Sequence, residues 1–102
     1  IIAHFDPHDY GYYVPSAFTP NDDGYNDAWI PLGDRVDLDH YDLRVFDRWG
    51  QELFASTDFR EGWDGTASGH EVPVGVYAYR IDVRDAFTQE RWILHGHVTL
   101  VR

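Results

Sequence analysis

The sequence predicts an all-β fold, an immunoglobulin-like antiparallel β-sandwich of about seven strands. Three observations carry that prediction. Apolar and polar residues alternate over short stretches, turn-forming residues recur between those stretches, and no window sustains helical apolar spacing beyond one turn without meeting glycine or proline. A chain of 102 residues is one domain by length, able to bury roughly two-thirds of its unfolded surface.

Strands are expected near residues 11–18, 27–32, 40–48, 51–56, 75–85 and 90–101, with one more at 1–6. In the third, Tyr41, Leu43 and Val45 alternate with Asp42 and Arg44. In the fifth, Tyr77, Tyr79, Ile81 and Val83 alternate with Ala78, Arg80, Asp82 and Arg84; in the last, Trp92, Leu94, Val98 and Leu100 share one parity. Side chains of one parity leave a strand on one face, so each of these strands is half-buried. Between them stand the turn signals "NDDG" (21–24), "WG" (49–50), "WDG" (63–65), "SGH" (68–70) and "DAFTQ" (85–89). Residues 1–11, polar and turn-rich through "HFDPHDYG", read as a lead-in segment or the end of a preceding domain, and 12–102 as the domain itself. Because the chain begins Ile1-Ile2, it reads as a piece of a longer protein whose export signal, if it has one, lies upstream.

Composition excludes several classes. The 43% hydrophobic and 17% aromatic content supplies a core without disulfides, and the lack of cysteine removes thiol catalysis and cysteine-ligated zinc. A formal charge of −10 repels phosphate backbones, so nucleic acid is not an expected partner. No apolar stretch has transmembrane length.

Five blocks stand in a familiar order: "VPSAFTPNDDGYND" (14–27), "LRVFDRWGQELF" (43–54), "GWDG" (62–65), "VPVGVYAYRI" (72–81) and "GHVTLVR" (96–102). Together they resemble the gliding-motility-associated C-terminal domain, the type B sorting domain of the type IX secretion system. The resemblance implies a non-catalytic β-sandwich carried at the end of a large exported cargo protein. It further implies reading by the outer-membrane secretion machinery, with the cargo finishing at the cell surface or in the medium. Two departures from the family pattern are Asp22, where glycine is usual, and the pair His95 and His97 before "VTL".

Within the first block, Asn21, Asp23 and Asp27 fall at i, i+2 and i+6, and a bend at Gly24 turns the Tyr25 carbonyl toward the same centre. That is part of a calcium loop, although Thr19 and Ile30 occupy the first and twelfth places where an EF-type loop needs acids. The same residues also suit an Asx-turn loop in which the side chains bond nearby backbone N–H groups. Both readings stand from sequence alone, and calcium is the one candidate cofactor.

Under the sorting reading the candidate recognition residues are Arg48, Trp49, Asp64 and the terminal Val98, Thr99, Leu100, Val101 and Arg102. Arg48 is expected to lie over Trp49 and to pair with Asp47 or another acid, locking a hairpin. Trp63 and Tyr77 are expected to plug one end of the core. His95 and His97 share one strand face, where a metal would need a third ligand from His4, His8, His40 or His70. No nucleophile elbow, H-E-x-x-H helix or phosphate loop occurs, and pairs such as Asp22/Asp23 or Asp37/Asp39 follow from the abundance of acids. An enzyme is therefore not expected. Two further classes remain: a calcium-stabilised adhesive or glycan-binding surface module, and a structural subunit that self-associates by strand pairing at a sheet edge or through Ile1 to Phe5.

Overall fold

A computed structural model describes residues 12–20 and 27–102. Alternation produces the long strands where it was expected. β2 (Asp42–Phe46), β3 (Glu52–Ser56), β6 (Gly75–Arg84) and β7 (Arg91–Leu100) each match a predicted element to within a few residues. Three two-residue strands complete the set: β1 (Ala17–Phe18), β4 (Thr66–Ala67) and β5 (His70–Glu71). The chain is all-β, with no helix among the described residues, and its seven strands form two sheets consistent with an immunoglobulin-like β-sandwich.

The larger sheet has the order β1-β7-β6-β2-β3, and β4 pairs only with β5. Its frame is the β6–β7 hairpin, paired without interruption from Gly75↔Leu100 to Arg84↔Arg91. β2 adds antiparallel to β6 from Asp42↔Asp82 to Phe46↔Ala78, and β3 follows with a register shift near Phe46. β1 is the exception to an antiparallel fold: it lies parallel to β7, Ala17 beside Thr99 and Phe18 beside Leu100.

Two expected strands are much reduced. Residues 11–18 shorten to β1, and residues 27–32 form isolated bridges, Trp29 to Trp63 and Tyr13 to Leu32, in place of a strand. Pro15, Pro20 and Pro31 lie within or beside these segments, and proline donates no ladder hydrogen bond, so continuous pairing cannot extend through them. The "SGH" signal forms the β4–β5 turn, with Ser68 and Gly69 both at positive φ (53° and 81°). The strand expected at 1–6 lies outside the described residues.

One face of the larger sheet is the core. Leu43 and Val45 of β2, Tyr77, Ile81 and Val83 of β6, and Trp92, Val98 and Leu100 of β7 are all buried, in the parity read from sequence. Tyr12, Trp29, Tyr41 and Trp63 close over them from the connecting segments. Each large apolar side chain buried in this way contributes about 1.5–3 kcal/mol. The Trp29 and Trp63 indoles also have their donors satisfied: Trp29 Nε1 donates to the Pro15 carbonyl at 2.7 Å and Trp63 Nε1 to the Thr66 carbonyl at 2.9 Å. Trp63 meets Tyr77 edge-on at 5.2 Å between centroids, as expected for a core plug, with Phe18 on it at 5.4 Å. In the middle of β7, Gly96 leaves room for the Tyr79 ring opposite, since a Cβ there would stand 2.6 Å from Tyr79 Cζ.

Candidate recognition surface

The β2–β3 connection is built around one carboxylate. Asp47 Oδ1 accepts the N–H groups of Trp49 and Gln51, each at 2.9 Å, while the backbone closes with Asp47 N to Gln51 O and Gly50 N to Asp47 O, both 3.0 Å. Gly50, at φ 82°, takes the left-handed position that a side chain would strain. Asp47 Oδ1 is therefore spent on backbone donors, and among the described residues Arg48 forms no ion pair with Asp47 or another acid, the pairing that the sequence suggested. The expected stacking is present, with Arg48 Cζ 6.0 Å from the Trp49 ring centroid. Trp49 is 83% exposed, so the turn holds a large aromatic ring out in solvent.

Beside that ring the outer face of the sheet turns apolar. A groove of about 590 Å³ runs between the turn and β6, lined by Phe46, Asp47, Arg48, Gly50, Val76, Ala78 and His97. It continues past Trp49 to Pro73 and Val74. Val74 and Val76 are each 58% exposed. The opposite end of the same face is ionic: Arg91 clamps Asp82 through two bonds of 2.6 and 3.0 Å, and Arg44 bridges Asp42 (2.9 Å) and Glu52 (3.1 Å). The Arg91 hydrogen bond holds the Asp82 carboxyl below its ordinary range. An apolar patch rimmed by charge is a surface suited to a protein partner. Its apolar parity was visible in the sequence, because Val76 stands where its strand is otherwise polar; that signal was not among the candidates.

The remaining candidates lie apart from this patch. Asp64 caps its own turn, accepting Thr66 N–H at 3.1 Å and Thr66 Oγ1 at 2.6 Å. Val98 and Leu100 are wholly buried, Thr99 N–H bonds the Ser16 carbonyl at 2.9 Å, and Val101 N–H bonds that of Phe18 at 3.0 Å. Arg102 folds back onto the loop that carries Asp64, donating to the carbonyls of Gly65 (3.0 Å) and Val72 (3.1 Å) and pairing with Glu71 at 3.3 Å. The last strand is thus integral to the sheet, and its Val98 and Leu100 side chains face the core.

Of the calcium candidates, Asn21, Asp23 and Tyr25 lie outside the described residues, and Asp27 is half-buried. Among the described residues no group of three or more His, Asp or Glu side chains is arranged to hold a metal. His40 bonds Asp37 at 2.9 Å, and His70 is on the β4–β5 ribbon, so neither joins His95 and His97 on the outer face of β7.

An ion pair on a buried carboxylate escaped the sequence reading. Asp85 is 0% exposed and receives Arg35 through two contacts of 3.0 and 3.1 Å, together with the N–H groups of Phe87 (3.0 Å) and Thr88 (2.7 Å). Burial works to raise its carboxyl, but hydrogen bonds from Thr88, Phe87 and Arg35 outweigh it and hold the group below the ordinary value. Asp85 thereby ties the β6–β7 turn to the Arg35–Val36 segment, where Val36 bridges to Asp85. "DAFTQ" marked the turn, but nothing local marked the arginine 50 residues away.

The family model of the CHU_C type IX secretion signal domain matches residues 12–100. The chain belongs to that family. No curated protein matches it. A type IX secretion signal domain implies a carrying protein that is exported, attachment to that cargo and contact with the secretion machinery. Signal domains of this kind are generally non-catalytic. Among the described residues of this one, no helix is long and apolar enough to cross a membrane.

Proposed function

We propose that this signal domain directs a large cargo protein through the type IX system by docking on its outer-membrane machinery, and that the cargo ends at the cell surface or in the medium. The docking surface is the β2–β3 turn and the groove beside it. The observation that carries this assignment is Trp49, 83% exposed on a turn whose backbone is fixed by Asp47, next to exposed Val74 and Val76. A rigid, solvated aromatic beside an arginine and apolar neighbours has the composition of an interface hot spot. Binding to such a surface requires no chemistry from the domain.

The test is secretion of a fluorescent protein fused ahead of residues 1–102 in a type IX-competent host. Removal of Val98 to Arg102 takes away buried Val98 and Leu100, so its failure to export would report unfolding. Trp49→Ala combined with Val76→Ser, both at exposed positions, is the informative variant. Periplasmic retention of that folded variant supports docking at the groove, whereas normal export would place recognition elsewhere on the domain. Failure of the intact fusion to export would overturn the sorting role and favour a surface module that binds glycan through Trp49.

Calcium at Asn21, Asp23, Tyr25 and Asp27 remains a proposal carried by residue spacing. Its check is thermal unfolding with calcium and then with chelator, before and after Asp23→Asn.

A further inference from the structure

Among the described residues, the sheet order leaves one side of β7 largely unpaired. β6 occupies one edge over all ten residues, but on the other edge β1 reaches only Thr99 and Leu100. Because Thr99 N–H points toward β1, where it bonds Ser16, the two-residue repeat of a strand turns the N–H and C=O groups of Ile93, His95 and His97 to that same open side. Among the described residues no strand pairs there. Natural edges are usually blunted by lysine, proline or a bulge, and this run has none of them.

His95 and His97 occupy this open stretch, both exposed and both on the outer face of the sheet. At i and i+2 their imidazoles project side by side, a spacing that suits chelation of one borderline divalent ion such as zinc, nickel or copper. Two ligands do not complete a tetrahedral zinc site. Among the described residues no third ligating group stands with them.

We infer that His95 and His97 form a half-site for a zinc-class divalent cation that a second copy of this chain completes, edge to edge. Two β7 strands approaching antiparallel about a two-fold axis at Gly96 set His95 of each copy against His97 of the other. Four imidazoles then meet on one face, and the open N–H and C=O groups pair across the axis. Pairing stops short of Thr99, whose N–H Ser16 already holds. Arg80, opposite His95 in the sheet, opposes a cation, so the ion is held more weakly than in a structural zinc site. This inference is independent of the docking groove except for His97, which lines it, and its test does not use secretion.

The experiment is zinc titration of the 102-residue chain, followed by sedimentation velocity for mass and calorimetry for stoichiometry. The expected result is a metal-dependent dimer with one ion per two chains, reversed by chelator and lost in His95→Ala and in His97→Ala, both with unchanged thermal unfolding. It should persist in His40→Ala/His70→Ala and in His4→Ala/His8→Ala. One ion per chain without a change in mass would overturn the bridging site. So would absence of zinc binding, or a dimer that survives both β7 variants.

Discussion

Arg102, the last residue of the chain, holds the carbonyl of Gly65 at 3.0 Å, across 37 positions of sequence. The approach is close because Gly65 has no side chain: a Cβ there would stand 2.9 Å from Leu100 Cδ1 and 3.2 Å from the Arg102 guanidinium. The same guanidinium reaches the Val72 carbonyl at 3.1 Å, and Val72 N–H returns to Gly65 O at 3.0 Å. Arg102→Ala should therefore destabilise the domain by about 1–3 kcal/mol, since it removes two charge-assisted bonds to backbone acceptors. Lysine, which lacks the planar fork, should recover only part of that. Equilibrium urea unfolding of the three proteins is the check, and equal midpoints for wild type and alanine would refute the clamp.

Gly96→Ala should cost about 1–3 kcal/mol through overpacking against Tyr79, whose ring fills the space above the glycine. Tyr79→Leu in the same chain should recover part of the loss, because a smaller side chain clears the new methyl. A double-mutant cycle measures this coupling, and strict additivity would show that the two do not meet.

Stability should fall at acid pH through Asp85. Its carboxyl titrates lower in the folded chain than in the unfolded one, so its contribution is complete above the unfolded value of about 3.9 and is lost as pH drops through the folded value. Asp85→Asn should unfold more readily at neutral pH, because it removes the carboxylate charge that the Arg35 guanidinium and the Phe87 and Thr88 N–H groups meet, and should show a shallower acid limb below about pH 4. Thermal midpoints measured from pH 2 to 7 test this. Parallel acid limbs for the two proteins would assign the acid sensitivity to other carboxylates.

At alkaline pH the buried tyrosines act in the opposite direction. Desolvation, with smaller contributions from neighbouring ionisable groups, raises the hydroxyls of Tyr12 and Tyr41 well above the ordinary value. Groups raised on folding contribute stability below their unfolded value of about 10 and withdraw it as pH climbs toward the folded value. Tyr12 and Tyr41 should therefore give tyrosinate absorbance only as the fold is lost. A single smooth transition with the fold intact would contradict their burial.

Trp49→Ala should leave stability within about 0.5 kcal/mol of wild type, because its ring buries little on folding. Trp63→Ala, at a position wholly buried between Phe18 and Tyr77, should cost about 3–5 kcal/mol. The same two variants in the secretion assay separate recognition from folding: export lost with Trp49 in a stable domain supports the groove. If Trp63 alone mattered, only the fold would have been tested.

Period-two alternation let the sequence by itself determine the all-β class, the pairing-competent strands near 40–48, 75–85 and 90–101, which the structure trims to 42–46, 75–84 and 91–100, and the parity of their buried faces. Alternation is a local property, and each strand carries it whether or not its neighbours are known. The ordered motif blocks determined the family in the same way, and the "WG" turn determined that Trp49 and Arg48 would sit at a hairpin.

Tertiary structure alone decided which polar and small residues those strands would enclose. The Arg35–Asp85 pair and the Arg102 clamp join residues tens of positions apart, and neither partner announces the other by spacing. The reduction of 27–32 to bridges follows from prolines whose effect depends on which edge they meet, and the parallel seat of β1 on β7 depends on where Phe18 finds the core. The groove beside Trp49 has the same origin. Phe46, Val76 and His97 become neighbours only when β2, β6 and β7 pair in register, because sheet registry is a long-range property set by burial of the opposite face.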